Sequence, residues 1–344
     1  MKPNKWHIRA ITGGMASDGS PYYVSLRRGT VNKLLVNFAG GGFCWNEETA
    51  ARPMNMLEAI SGREAYYIPR LGPLMLRLVH VGALSASDAR SPFHGWNVLN
   101  IPYTTGDFHM GCGEFPYKDA KGRERLLHHK GAANVGAALT LLKDFAQTPE
   151  TLVIAGQSAG AFGCVANAHK VTAMYPGCRN VIIYSEGSHL NAPIWEETAR
   201  HVWNVAPELA GYIKSRDLIV DLFRYARDKM PDSTVFLHSN TVWDGALTKF
   251  MNKMSHGKMA IDDAALAEFN ETLIAATGKL STEMPNYFHY LTDHGRKKDG
   301  STAHLFFGDA KLMYEPLQDG VSVAEWLNTA IVGRPVSVGG GFLV

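Results

Sequence analysis

The stretch "TLVIAGQSAGAFG" (151–163) is an apolar run, Leu152-Val153-Ile154, that stops on a serine between Gly156 and Gly160. Gly156-Gln157-Ser158-Ala159-Gly160 fits G-x-S-x-G, the strand–turn–helix elbow that lifts a serine hydroxyl above a parallel sheet. The turn is tight, so side chains beside the serine must be absent. Context separates this reading from chance: an apolar strand precedes the serine and "FGCVANAHKVTAMY" continues as a helix. The plain alternative is a packing serine in a βα turn.

Outward from that point the chain alternates. "KLLVNFAGGGF" (33–43) is a strand entering a glycine loop, and "NVLNIPYTTGD" (97–107) is a second strand ending in polar residues. "GAANVGAALTLLKDFA" spaces Val135, Leu139, Leu142 and Phe145 as a helix does. "RNVIIYSEG" (179–187), "STVFLHSNT" (233–241) and "NYFHYLT" (286–292) give three more strands. Short β-rich runs separated by helical patterns predict an α/β fold with a mostly parallel sheet and helices on both faces. About 51–92, 190–232 and 245–283 fall outside the alternation and are expected as helical insertions over the strand C-terminal ends, where such sheets bind ligands. None has a linker-like composition, so a single elaborated domain over 1–344 is expected.

A serine nucleophile needs a base, and its oxyanion needs preorganised donors. "NFAGGGFCWN" (37–46) puts Gly40, Gly41 and Gly42 at a strand end, where bare backbone offers N–H groups. Gly42, Phe43 and Ala159 are the expected oxyanion donors. A phosphate cradle would bring Lys, Ser or Thr after the glycines, and Phe43-Cys44-Trp45 does not.

"AGGGFCWN", "SPFHGWNVLNIPYTTGD", "HHKGAANVGAAL" and "GQSAGAFG" together resemble, in order and spacing, the pectin acetylesterase/Notum family of carboxylesterases, over about 34–193. The resemblance implies an α/β-hydrolase-like fold and a metal-free Ser-Asp-His triad that removes acyl groups from carbohydrates or lipidated proteins. The chain departs from the family pattern with Phe43 for Trp, Gln157 for the plant-type Cys, and Ser185-Glu186-Gly187 for Asp-Ser-Gly.

In this fold the acid precedes the histidine in the chain. Asp244, just past the 233–241 strand, is the expected acid; its competing reading is an N-cap before Gly245-Ala246-Leu247. Asp221 and Asp232 lie in or after an insertion. Among His289, His294 and His304, the last is the expected base, because the apolar run after it can fix its orientation. Gly41, Trp45, Asp107 and His189 are candidate substrate contacts. His94, His109, His128 and His129 lack ligand spacing such as H-E-x-x-H, so neither metal nor cofactor is expected. Met54, Met56, Leu57, Ile60 and the 71–79 stretch either line an acyl pocket or cap the core.

Composition bounds the partners. With 34 basic and 32 acidic side chains, a net charge of +2 argues against a nucleic-acid or anionic-membrane surface. No run approaches the roughly 18 apolar residues of a membrane span. No signal peptide is visible, so the expected location is the cytoplasm, or outside the cell if a leader is absent from this sequence. Cys44, Cys112, Cys164 and Cys178 lack zinc spacing. The expected protein is a serine carboxylesterase for short acyl groups on a small or polymeric ester, without cofactor. The alternatives are a silent hydrolase-like binding module and a depolymerase of polyester or lipid esters. Oligomeric state is not readable.

Overall fold

The computed structural model describes residues 2–54 and 64–343. Eight strands make the main sheet: β1 Trp6–Met15, β2 Pro21–Arg27, β3 Lys33–Phe38, β4 Asn97–Ile101, β5 Thr151–Gln157, β6 Asn180–Glu186, β7 Val235–Thr241 and β8 Tyr287–Thr292. Their order is β1-β2-β4-β3-β5-β6-β7-β8. β1–β2 and β2–β4 pair antiparallel, and every other neighbouring pair is parallel.

The parallel strands are buried along most of their length because both faces are covered, with polar residues gathered mainly toward their C-terminal ends. Leu34, Val36, Phe38, Leu152, Ile154 and Ile183 enter one core cluster, while Leu35, Val153, Ala155, Ile182, Tyr184 and Leu237 enter the other. Successive residues thus point to opposite faces, as the pleat requires. The first face is covered by α1 Gly131–Thr140, α2 Ala159–Thr172, α3 Leu218–Lys229 and α5 Asp263–Glu283; α4 Gly245–His256 lies between α3 and α5 in the chain. On the second face α6 Val323–Ile331 inserts the fully buried Trp326. Each such buried large side chain contributes about 1.5–3 kcal/mol of transfer free energy.

Three sequence expectations change here. β1 and β2 extend the sheet on an edge that periodicity did not reveal: β1 is half exposed, and a register shift between Ala10 and Met15 breaks its alternation. In the 51–92 segment, the described residues hold only two short helical turns, Pro73–Leu76 and Gly82–Leu84, since Pro69, Gly72 and Pro73 interrupt longer helix. In 190–232 the main helix, α3, packs against α2 and the first face of the sheet rather than over the strand ends. Met56, Leu57 and Ile60 lie outside the described residues.

All four cysteines are free: Cys44, Cys164 and Cys178 are buried and Cys112 is exposed. Among the described residues no helix is long and apolar enough to cross a membrane.

Candidate active site

Ser158 stands between β5 and α2 with φ 54° and ψ −126°, a left-handed conformation that costs a non-glycine residue about 1–3 kcal/mol. The fold imposes it by close approach. A Cβ at Gly156 would lie 2.0 Å from the Gly160 carbonyl oxygen, and one at Gly160 would lie 2.0 Å from that of Phe38. The Ser158 N–H donates to the Glu186 carbonyl at 2.8 Å, pinning the turn to the next strand. A serine at a helix N-cap ordinarily bonds the first turn, yet the Ser158 side chain makes no such bond. The hydroxyl instead faces a cavity of about 430 Å³.

Gly40, Gly41 and Gly42 form the opposite lip of that cavity. A Cβ at Gly40 would meet the Gln157 carbonyl oxygen at 2.4 Å, so the loop lies directly against the elbow. Gly42 has φ +73° and its missing Cβ would sit 1.9 Å from the Tyr66 carbonyl oxygen. Among the described residues, the N–H groups of Gly41, Gly42 and Ala159 have no acceptor. Phe43 differs: its N–H donates to the Tyr66 carbonyl at 2.7 Å and is not free for an oxyanion. Its ring lines the cavity 5.1 Å from that of Phe250.

Asp244 divides its carboxylate. Oδ1 accepts the N–H groups of Ala246 and Leu247 at 2.8 and 2.9 Å, capping α4. Oδ2 accepts from His304 Nδ1 at 2.6 Å. One oxygen thus caps the helix and the other holds the His304 ring. Asp244 also pairs with Thr302 in an isolated parallel bridge, which fixes the two loops side by side. Burial would lower the affinity of the His304 imidazole for its proton, but the charge and hydrogen bond of Asp244, with the charge of Glu186, carry it above the ordinary histidine value. His304 lines the same cavity as Ser158. The two do not hydrogen-bond to one another here, a spacing common at such sites before substrate tightens them.

The other histidines on or after β8 are placed elsewhere. His289 is buried in the strand, with Nδ1 3.4 Å from Ser281 Oγ, and His294 is exposed in the following loop. Asp221 caps a turn through Lys214 and Ser215 N–H, and Asp232 is exposed.

Of the four candidate substrate contacts, only Gly41 lines the cavity. Trp45 is turned behind the wall, its ring packed between Phe43 at 5.0 Å and Tyr66 at 5.3 Å. Asp107 is fully buried and accepts from Thr105 Oγ1 at 2.6 Å, His109 N at 3.1 Å and Gly131 N at 2.8 Å. Burial pushes its carboxyl up to about 6, those hydrogen bonds opposing. It ties the 105–109 turn to α1 and serves the scaffold. His189 is also fully buried, bonded to Thr272 Oγ1 at 2.8 Å and pushed down to about 3 by burial; its neighbour Leu190 is the residue that reaches the cavity.

Sequence reading passed over two supports. His109 Nε2–H donates to the Ala39 carbonyl at 3.0 Å, bracing the glycine loop. Glu186 caps the histidine loop from beneath, accepting the N–H groups of Phe306 and, at 3.0 Å, Phe307. A carboxylate at the buried end of the strand "VIIYSE" was the available signal. Among the described residues no three His, Cys, Asp or Glu side chains gather as a metal ion would require.

A family model described as pectinacetylesterase matches residues 7–204, which include the glycine loop and Ser158. No curated protein matches the sequence.

Proposed function

The chain belongs to the pectinacetylesterase family, whose members are carboxylic ester hydrolases, and on that premise we propose that it cleaves esters through Ser158, His304 and Asp244. The carrying observation is the convergence of a strained serine and an Asp-paired histidine on one glycine-lipped cavity. In this reading His304 Nε2 takes the Ser158 proton as Oγ attacks the ester carbonyl. Gly42 and Ala159 N–H groups, with Gly41 alongside, receive the developing oxyanion; each such donor is worth about 2.7–4 kcal/mol of barrier. His304 then gives the proton to the departing alkoxide, and a water activated by the same imidazole releases the acid. Asp244 keeps Nδ1 protonated and stabilises the imidazolium.

The family reading favours a short acyl group such as acetyl on a carbohydrate. A second reading follows from the walls, which are mostly apolar: Phe43, Val79, Phe108, Leu190, Leu247 and Phe250 among them. Met54 and Val79 represent the insertion residues expected there. A space of about 430 Å³ exceeds what an acetyl group fills, and favours a longer apolar acyl chain or a depolymerase-type substrate. A fluorophosphonate label separates enzyme from silent module: the wild type should react stoichiometrically and Ser158→Ala not at all. No reaction with folded wild type would overturn the assignment. Turnover of p-nitrophenyl esters from acetyl to octanoyl then chooses between the two acyl readings by where it peaks.

A further inference from the structure

We propose that Glu186 is a positioning residue that clamps the base-bearing loop to the nucleophile elbow, resting on the assignment of His304 as base. Glu186 ends β6 and is fully buried. Its backbone carbonyl holds the Ser158 N–H at 2.8 Å. Its carboxylate reaches the other partner: Oε1 accepts Phe306 N–H and Phe307 N–H, and Oε2 accepts the Tyr184 hydroxyl at 2.9 Å. One residue therefore grips both sides of the reacting centre, by backbone on the serine and by side chain on the segment two residues past His304. Two N–H donors on one carboxylate oxygen are charge-assisted bonds, about twice as strong as neutral ones.

Gly187 completes the fit. Its φ is +61°, and a Cβ there would lie 2.9 Å from Leu305 Cδ2 and 3.1 Å from His304 Cε1. The imidazole and its neighbour thus pack directly on the backbone that follows Glu186. This is also where the sequence reads Ser-Glu-Gly rather than Asp-Ser-Gly. A shift of one residue along a strand moves a side chain to the opposite face. Ser185 accordingly bonds Ser188 Oγ at 2.7 Å, while Glu186 faces the histidine loop.

The groups acting on His304 are Asp244 at Nδ1, Glu186 beneath it and the uncharged Ser158 across the cavity. Those facing Glu186 are Tyr184, His304 and the two backbone donors. Burial raises the Glu186 carboxyl above the ordinary glutamate value, opposed by the Phe307 and Phe306 N–H groups, the Tyr184 hydroxyl and the His304 charge. In its ionised form it favours the imidazolium, so removing that charge lowers the proton affinity of His304. The base works when neutral, so kcat/KM falls as pH drops through the His304 pKa.

Three variants test this on the full chain. Glu186→Gln keeps an oxygen for the two N–H donors and a matching shape; it should retain most of kcat while the acid limb of kcat/KM moves to lower pH. Glu186→Ala loses the clamp, and a folded protein should lose about 100-fold in kcat, the scale of a 1 Å misplacement, with KM little changed. An E186A protein that keeps wild-type kcat overturns the proposal, and so does an E186Q acid limb that stays in place. If E186A does not fold, E186Q alone decides. Ser158→Ala is the separate control: activity surviving there defeats the esterase assignment, whereas its loss beside a wild-type E186A defeats only the clamp.

Discussion

On one side of Ser158 the cavity is walled by backbone: Gly40 presses against the elbow, Gly41 and Gly42 line the cavity beside it, and no side chain of theirs intervenes. On the other side stands a wall of side-chain bonds. His304 is held by Asp244 Oδ2, its loop by Glu186 Oε1, and the loop start by pairing of Thr302 with Asp244. The first wall owes its shape to steric exclusion, which tolerates almost no substitution. The second owes its shape to a few carboxylate contacts that several loop sequences would satisfy. The pectinacetylesterase match, residues 7–204, covers the backbone wall and Glu186 but stops before Asp244, Thr302 and His304.

The sharpest way to break the second wall without touching the first is Asp244→Asn. Asparagine still caps α4, so the fold should hold. It disfavours the Nδ1–H tautomer, and kcat on an activated ester should fall about 10⁴-fold. A loss under tenfold would show that the Asp244–His304 bond is structural. The converse change is Gly42→Ala. Its Cβ would collide with the Tyr66 carbonyl at 1.9 Å and strain a φ of +73°. Displacing one oxyanion donor should lower kcat by about 10²–10³, with an unmoved pH profile, because His304 is undisturbed. A wild-type rate would remove Gly42 from the donor set.

The smallest effect acts on stability rather than rate. Burial pushes His109 to about 4 and His129, His189 and His238 to about 3, so all four are neutral when folded near neutrality. The unfolded chain titrates them near 6.5 and therefore binds more protons between roughly 6.5 and 4, so stability rises with pH across that window and is lost as pH falls through it. Melting temperatures measured from pH 8 to 5 should be flat at first and then decline below about 6.5; a flat profile throughout would show that these rings find compensating partners.

The same contrast explains what was legible in the residues. The elbow and glycine loop could be read because positive φ and sub-van-der-Waals approach admit so few residue types. Asp244 and His304 could be placed only by their order after strand ends. Asp107 and His189 were misplaced because a polar residue past a strand end has two directions open to it, and both turned inward, Asp107 to backbone N–H groups and His189 to the Thr272 hydroxyl. Glu186 went without a role since its partners are backbone N–H groups more than a hundred residues away, which leave no trace in side-chain spacing. β1 was lost for a different reason: a half-exposed edge strand with a register shift carries no clean alternation.

β5 runs between β3 and β6 with all of its 7 residues buried, and the elbow amide is bonded across to β6. In isotope-exchange terms its amides are reached only when the sheet itself opens, whereas the exposed 293–299 loop before His304 exchanges with every local fluctuation. An exchange time course should therefore label 293–299 among the first amides and β5 among the last, with Ser301 and Thr302, both buried, marking where protection resumes ahead of His304.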